Sequence, residues 1–102
     1  MYNIFTDART FEWDEQKNLE NHKKHGVFFS EARTVFLDEY GRDSYDPDHS
    51  DSEDRFILAG LSERLRVLVV SYCYRREYRM IRIISVRKAT AREEGYYWRK
   101  RL

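Results

Sequence analysis

The sequence predicts an α+β domain with two N-terminal helices, an antiparallel β-sheet of about four strands and a C-terminal helix. Three observations support this fold class. Two helix-start signals lie in the first third of the chain, three apolar runs follow with connections short enough to demand hairpins, and a capping-box motif comes after the last run. At 102 residues the chain has room for one hydrophobic core, so we expect residues 1–102 to form a single domain.

The two N-terminal helices are predicted from their caps. Asp14 is a good N-cap and Gly26 is a C-terminal signal, so the first helix is expected over Glu15–Lys24. Ser30 is expected to cap a second helix over Glu31–Leu37. Because the first helix contains a single aliphatic residue, Leu19, we expect the flanking residues Phe11, Trp13 and Val27 to hold it against the rest of the domain.

The strands are predicted from apolar runs rich in β-branched and aromatic residues. A brief edge strand is expected near Asp43–Tyr45, before a loop of turn-forming residues. The last run holds the densest group of Ile and Val, so we expect it to be central and covered on both faces. The three main strands and the final helix are expected over Arg55–Leu61, Arg66–Tyr74, Arg79–Val86 and Ala91–Arg101. With helices on one face of the sheet, the other face stays open.

The net charge of +1 conceals a strong asymmetry between the two parts of the chain. Residues 1–63 contain 7 basic and 15 acidic side chains, whereas residues 64–102 contain 12 basic and 3 acidic ones. Ten of those twelve basic residues are Arg, the side chain that binds phosphate through two parallel hydrogen bonds. The C-terminal part therefore favours a phosphate-bearing ligand or an acidic partner.

The cysteine content and the hydropathy of the chain limit its location. Cys73 is the only cysteine, so no internal disulfide can form, and a reducing compartment such as the cytoplasm is expected. No apolar run approaches the roughly 18 residues that a membrane span needs. We therefore expect a cytoplasmic protein with no membrane association.

Four motifs together give the chain a familiar pattern. They are F-E-W-D at Phe11–Asp14, K-H-G-V at Lys24–Val27, D-P-D-H-S at Asp46–Ser50 and R-I-I-S-V-R-K-A-T at Arg82–Thr90. In this order and spacing they resemble the BrnT family of type II toxins, over almost the whole chain from Phe11 to Tyr97. The resemblance implies a ribonuclease toxin with a RelE-like fold, which is neutralised by a BrnA-type antitoxin. That antitoxin carries the DNA-binding domain, so the toxin would meet DNA only indirectly.

Cleavage of RNA requires a proton acceptor, a proton donor and cations, because RNA supplies its own nucleophile, the 2′-hydroxyl group. Arg82, Arg87 and Lys88 are expected to hold the scissile phosphate, since they lie on or next to one strand. Strict alternation puts Arg82 and Arg87 on opposite faces unless a β-bulge intervenes. Ion pairing with the acidic part of the chain is the alternative role. His49 is the candidate acid or base, with Glu53 as the alternative carboxylate.

Further basic and aromatic residues are candidates for binding the flanking RNA. Arg55 begins a predicted strand and Arg64 lies in a hairpin turn, where either could contact a phosphate. Tyr96 shares a face of the last helix with Arg92 and Arg99, and stacking on aromatic side chains is a common way to hold unpaired bases. These five residues are therefore predicted to bind RNA.

Two alternatives to this interpretation remain open at the sequence level. The acidic loop at residues 46–54 could bind calcium, but the sixth position of an EF-hand loop requires Gly and this loop has Asp51. No metal or other cofactor is therefore predicted. The second alternative is a module that binds nucleic acid or a partner protein through the same basic face without cleaving anything.

Overall fold

The structure, a computed structural model, describes residues 10–101 of the chain. Three helices and five strands form one α+β unit, so the predicted fold class is confirmed. The strands are β1 (Thr10–Glu12), β2 (Arg42–Tyr45), β3 (Arg55–Leu61), β4 (Val67–Arg75) and β5 (Met80–Lys88). The helices are α1 (Glu15–His25), α2 (Phe29–Val35) and α3 (Ala91–Arg101), and a 3₁₀ turn covers Pro47–His49. No helix among these residues is long and apolar enough to span a membrane.

The sheet has the strand order β1-β5-β4-β3-β2. The four strands from β2 to β5 are antiparallel neighbours, and β2 is the edge strand that the sequence predicted. The strand that the sequence did not predict is β1, which pairs with β5 in parallel through only three residues. A three-residue strand carries too little alternation to be recognised from sequence. The sheet is therefore mixed, and β5 lies inside it, between β1 and β4.

The hydrophobic core lies between one face of the sheet and the helices α1 and α2. Its members are almost entirely removed from water, and each fully buried aliphatic or aromatic side chain stabilises the fold by roughly 1.5–3 kcal/mol. They are Val27, Phe29, Ala32, Val35, Leu58, Leu68, Val70, Tyr72, Ile81, Ile83 and Val86.

Helix α1 is held to the sheet by two buried asparagines. The side-chain amide of Asn21 donates to the carbonyl oxygens of Val27 and Val86 and accepts from the backbone N–H of Val86, at 2.8–3.1 Å. Asn21 thus pairs with the edge of β5 beyond the end of β1, as a neighbouring strand would. Leu19 is 51% exposed, so the predicted lack of an aliphatic face is confirmed. Trp13, just before α1, packs edge-on against the core residue Phe29, as expected of a residue that holds this helix in place.

The predicted N-cap of α2 at Ser30 was wrong. The helix begins at Phe29, and its N-cap residue is Phe28, whose side chain forms no capping hydrogen bond. Instead the side-chain oxygen of Asn18 accepts a 2.7 Å hydrogen bond from the backbone N–H of Phe29. A buried amide on the preceding helix satisfies this donor, so the local cap that the sequence pattern indicated is not needed.

Helix α3 does not share a face with α1 and α2, so the expectation that all helices pack on one face was wrong. Tyr96 and Tyr97 of α3 line a cavity together with Ile57, Ala59 and Val69. These strand residues alternate with core residues such as Leu58, so they face the opposite side of the sheet. Helix α3 therefore covers one end of the face that α1 and α2 leave open.

Candidate functional site

The sheet face opposite α1 and α2, here called the open face, carries five arginines on neighbouring strands. The alternation of each strand and the register between strands place them on one side. These arginines are Arg42, Arg55, Arg75, Arg82 and Arg87. Glu12 of β1 is also on this face, because it pairs with Arg82 in the register of the sheet.

A β-bulge in β5 brings Arg82 and Arg87 to the same face. Ser85 pairs with Ser71 and Ile83 pairs with Tyr72, so Ile84 is an extra residue without a partner in β4. As a result Arg82 pairs with Cys73 and Arg87 with Val69. These two partners are four residues apart in β4 and face the same way, at a separation of roughly 13 Å given about 3.3 Å per residue. Because of this bulge, the side chains of Arg82 and Arg87 lie on the same face of the sheet and can bind one ligand.

At one end of the open face, a carboxylate lies among guanidinium groups. Arg75 Nη1 donates a 2.7 Å hydrogen bond to Glu53 Oε1, and Arg55 Nε is 3.7 Å from Glu53 Oε2. The same Arg75 nitrogen is 3.1 Å from the sulfur of the buried Cys73. Together with Arg82, which pairs with Cys73 in the register, these residues form what we call the Glu53 cluster.

The electrostatics of the Glu53 cluster favour the ionised carboxylate. The hydrogen bond from Arg75, followed by that of Cys73, lowers the pKa of Glu53 below its ordinary value. The pKa of Arg75 is raised, chiefly by the same hydrogen bond to Glu53. Burial raises the pKa of the Cys73 thiol, which keeps it protonated. Arg55 Nε is buried and lacks a hydrogen-bond partner among the described residues, so one donor in the cluster is unsatisfied.

Arg82 forms an ion pair with an acidic residue of the N-terminal part of the chain, which was the predicted alternative to phosphate binding. Its Nη1 is 2.9 Å from Glu12 Oε2, and both side chains are about one-third exposed. Ion pairs at this degree of exposure contribute only about 0.2–1 kcal/mol. An incoming phosphate could therefore replace Glu12 as the partner of Arg82 at a small cost in free energy.

His49 belongs to the loop that is attached to the same end of the sheet. Its Nδ1 lies 2.9 Å from Asp46 Oδ2, and the side chain is 68% exposed. The backbone N–H of Asp46 donates to the Arg55 carbonyl, and the N–H of Arg55 donates to Ser50 Oγ, each at 2.9 Å. These bonds tie the His49 loop to the first residue of β3. One imidazole nitrogen is thus engaged by a carboxylate, and the other is available for proton transfer.

At the other end of the open face, Arg87 is bound to the start of α3. Its two terminal nitrogens lie 2.8 and 3.0 Å from the two carboxylate oxygens of Glu93. Glu93 and Thr90 also form the predicted capping box, with hydrogen bonds of 2.9 and 3.1 Å. The hydrogen bond from Arg87 and that from the Thr90 backbone lower the pKa of Glu93 to about 2. Arg87 therefore joins the sheet to the helix.

Beside this ion pair lies a cavity of about 430 Å³, here called the α3 cavity. Its walls include the predicted RNA-binding residues Arg92, Tyr96 and Arg99, which the structure brings together. Arg42 of β2 also lines it but was not predicted, because an exposed residue at the start of a short edge strand gives no sequence signal.

Two predicted site residues lie away from the open face. Lys88 pairs with the core residue Leu68 in the register, and its Nζ lies close to Gly26 at the end of α1. Arg64 is exposed in the turn between β3 and β4, and its backbone N–H donates to Ser62 Oγ. Arg75, which sequence reasoning missed, lies in the Glu53 cluster. It had been assigned to a hairpin connection, and its partner is 22 positions away.

The acidic loop at residues 46–54 was the candidate calcium site in the sequence. Among residues 10–101, no group of three or more His, Cys, Asp or Glu side chains is placed to hold a metal ion. In the acidic loop, Asp46 contacts His49, and Asp54 accepts a 3.1 Å hydrogen bond from the Tyr45 hydroxyl. These two acidic side chains are thus turned to separate partners.

Comparisons with known proteins agree with this architecture. Residues 13–93 match the family model described as the ribonuclease toxin, BrnT, of type II toxin–antitoxin systems. The crystal structure of the Brucella abortus ribonuclease toxin, BrnT, superposes with a TM-score of 0.59 at 23% identity, covering 80% of this chain and 97% of that chain, which shows a shared fold. No curated protein sequence matches the chain significantly. Because the family model covers most of the chain, this protein belongs to the BrnT family of ribonuclease toxins of type II toxin–antitoxin systems.

Proposed function

We propose that the protein is an endoribonuclease that cleaves mRNA on the open face without a metal ion, and so inhibits translation in the bacterial cytoplasm. The observation that carries this proposal is the Glu53 cluster, in which one ionised carboxylate lies among Arg55, Arg75 and Arg82. A proton acceptor beside several fixed cations is the combination that attack by a 2′-hydroxyl group requires.

The proposed reaction is an in-line transesterification. Glu53 accepts the proton of the 2′-hydroxyl group, whose oxygen forms a new bond to phosphorus while the bond from phosphorus to the 5′-oxygen breaks. The available nitrogen of His49 donates a proton to the leaving 5′-oxygen. The products are a 2′,3′-cyclic phosphate and a free 5′-hydroxyl group, so no water or further reactant is consumed.

Arginines stabilise the charge that develops on the phosphate. Arg82 and Arg55 bind its non-bridging oxygens, and Arg75 holds Glu53 in position. A carboxylate with a lowered pKa is a weak base, so we assign the larger share of the rate enhancement to these preorganised cations. Arg87 binds a flanking phosphate at the other end of the face. Lys88 and Arg64, which point elsewhere, attract RNA over a longer range.

The partner we propose is a BrnA-type antitoxin that covers the open face with acidic and apolar side chains. Five arginines on one face attract either a polyanion or an acidic protein, so the antitoxin and RNA should compete. The helix α3 contributes to this contact through Arg92, Tyr96 and Arg99, since Tyr and Arg are enriched in interfaces. Any contact with DNA is made by the antitoxin.

The test is to incubate the purified protein with end-labelled single-stranded RNA, with and without EDTA. We expect cleavage in both conditions and products that end in a 2′,3′-cyclic phosphate. A matched RNA with 2′-deoxyribose at the cleavage position should stay intact, because it lacks the nucleophile. RNA that is retarded in a gel but never cut would show a binding module instead, and activity lost with EDTA and restored by one divalent ion would overturn the metal-free mechanism.

A further inference from the structure

The α3 cavity differs from the Glu53 cluster in its chemistry. Its floor is apolar and is formed by Ile57, Ala59 and Val69 of the open face, while Tyr96 forms part of its wall. The Tyr96 side chain is 49% exposed, so its ring is accessible to a ligand. The volume of about 430 Å³ falls in the range of roughly 300–1,000 Å³ that is typical of small-molecule pockets. An apolar floor with an aromatic wall suits a flat ring.

The rim of the cavity carries guanidinium groups without partners. Within residues 10–101, the side chains of Arg42, Arg92 and Arg99 make no hydrogen bond or ion pair, although all three line the cavity. Arg82 and Arg87, in contrast, each hold a carboxylate. Three unpaired cations around one apolar cavity leave their donors available to a ligand that offers acceptors.

Among the described residues, Glu93 supplies the one carboxylate that lines the cavity, and it is not available to a ligand. Both oxygens of Glu93 accept hydrogen bonds from Arg87, and one of them also accepts from the backbone N–H of Thr90. The charged groups that remain free at the rim are therefore all hydrogen-bond donors. An edge of a ligand that turned amino groups towards these arginines would find no charged acceptor there.

We propose that the α3 cavity is a specificity pocket that binds a guanine base of the RNA substrate. This inference rests on the proposed function and adds the base preference of the same face. On one edge guanine presents two neighbouring acceptors, O6 and N7, which one guanidinium binds through two hydrogen bonds. Its amino group, N2, lies away from that edge, whereas adenine and cytosine carry an amino donor at the position that O6 occupies in guanine. The ring stacks on Tyr96, as unpaired bases commonly do on aromatic side chains.

The position of the cavity identifies which nucleotide it holds. Val69, on its floor, pairs with Arg87 in the register, and Cys73 of the Glu53 cluster lies four residues further along β4. That spacing corresponds to roughly 13 Å. The guanine therefore belongs to a nucleotide that flanks the cleavage position, and Arg87 is placed to bind a phosphate near it.

The test measures binding separately from cleavage. Short RNAs that carry 2′-deoxyribose at the cleavage position cannot be cut, so their affinity can be followed by fluorescence anisotropy. We expect replacement of one flanking guanine by adenine, or by 7-deazaguanine, which lacks N7, to weaken binding about tenfold. Replacement of the other bases should change the affinity much less.

Matched variants assign the preference to the cavity. Arg92→Ala and Arg99→Ala, both at exposed positions, should each reduce the preference for guanine, and Ala59→Met should reduce it by filling the cavity. Arg76→Ala removes the same charge in the distant turn between β4 and β5 and should leave the preference unchanged. Equal affinity for all bases, or a guanine preference that survives all three cavity variants, would overturn the inference.

The outcomes separate this inference from the proposed function. RNA that is cleaved without any base preference would refute the specificity pocket but not the ribonuclease activity. A guanine preference in the binding assay without any cleavage of normal RNA would support the pocket and refute the proposed ribonuclease activity. Loss of preference in Arg99→Ala with retained cleavage at new positions supports both.

Discussion

Arg75 donates a 2.7 Å hydrogen bond to Glu53 across the end of β4, while Arg55 lies 3.7 Å from the other oxygen of the same carboxylate. Glu53 precedes β3 and Arg75 ends β4, so the pairing of these two strands creates the cluster. The carboxylate is thereby fixed beside two guanidinium groups in a position that is only partly screened by solvent. Such fixed groups act on a substrate without needing to reorganise during the reaction.

The first prediction concerns this pair. Glu53→Gln should reduce the RNA cleavage rate about 10²–10⁴-fold, because the proton acceptor is lost. Arg75→Ala should reduce it about 10²–10³-fold, since it removes the group that positions Glu53. Single-turnover cleavage of a labelled RNA measures both rates. Arg79→Ala, in the turn beyond Arg75, removes a charge outside the cluster and serves as the control, and a fully active Glu53→Gln enzyme would exclude Glu53 as the base.

The second prediction compares two adjacent basic residues on opposite faces of β5. Arg87→Ala should lower RNA affinity and toxicity, because Arg87 lies on the open face beside the α3 cavity. Lys88→Ala should have a much smaller effect, since Lys88 lies next to Gly26 on the other face. Growth inhibition after induction, together with RNA binding in vitro, measures the difference. Equal loss of toxicity in two folded variants would show that RNA or its delivery involves both faces.

The parts of the fold that the sequence predicted are those with a local cause. The three long strands follow from apolar runs, α1 from Asp14 and Gly26, and the start of α3 from its capping box. The bulge at Ile84 could not be predicted, because one extra residue in a run of Ile and Val leaves no mark in the composition. Its position depends on the pairing with β4.

The candidate site was predicted in part for the same reason. Glu53, Arg55 and Arg82 come together at one end of the open face, and His49 lies in the loop that is attached to the start of β3. Each of these four residues was identified from its residue type and its neighbours in sequence. Arg75 was missed, since its role depends on the contact with Glu53 rather than on its own surroundings in sequence. Long-range pairs of this kind become visible only when the strand register is known.

The third prediction concerns acid. The folded-state pKa of Glu93 is about 2, below its ordinary value of 4.5, so the unfolded chain binds more protons between these two values. The stability that Glu93 contributes is therefore complete above about pH 4.5 and is lost as the pH falls towards 2. Urea unfolding from pH 6 to pH 2.5 should show this loss, and Glu93→Gln should remove part of it. Glu94→Gln is the control, and an identical pH profile in both variants would contradict the prediction.

The last prediction concerns the bond that holds α3 against the domain. The hydroxyl group of the buried Tyr97 donates a 2.6 Å hydrogen bond to Asp38 Oδ2, which also accepts from the backbone N–H of Leu61 at 2.7 Å. Burial and the bond to Asp38 raise the pKa of Tyr97 to about 12, so this donor keeps its proton at neutral pH. Arg101 adds a 3.2 Å hydrogen bond to the Tyr97 oxygen. One tyrosine thus joins α3 to the loop that follows α2 and to the end of β3.

Removing that hydroxyl group should loosen α3 and destabilise the protein. Tyr97→Phe should lower the free energy of unfolding by about 1.5–3 kcal/mol, the usual contribution of a hydrogen bond to a charged group. Tyr96→Phe makes the same change at the neighbouring exposed position and should have little effect on stability. Urea unfolding measures both variants, and hydrogen exchange of the α3 amides should show faster exchange only in Tyr97→Phe. Equal stability of the two variants would mean that the ion pair between Arg87 and Glu93 is enough to hold the helix in place.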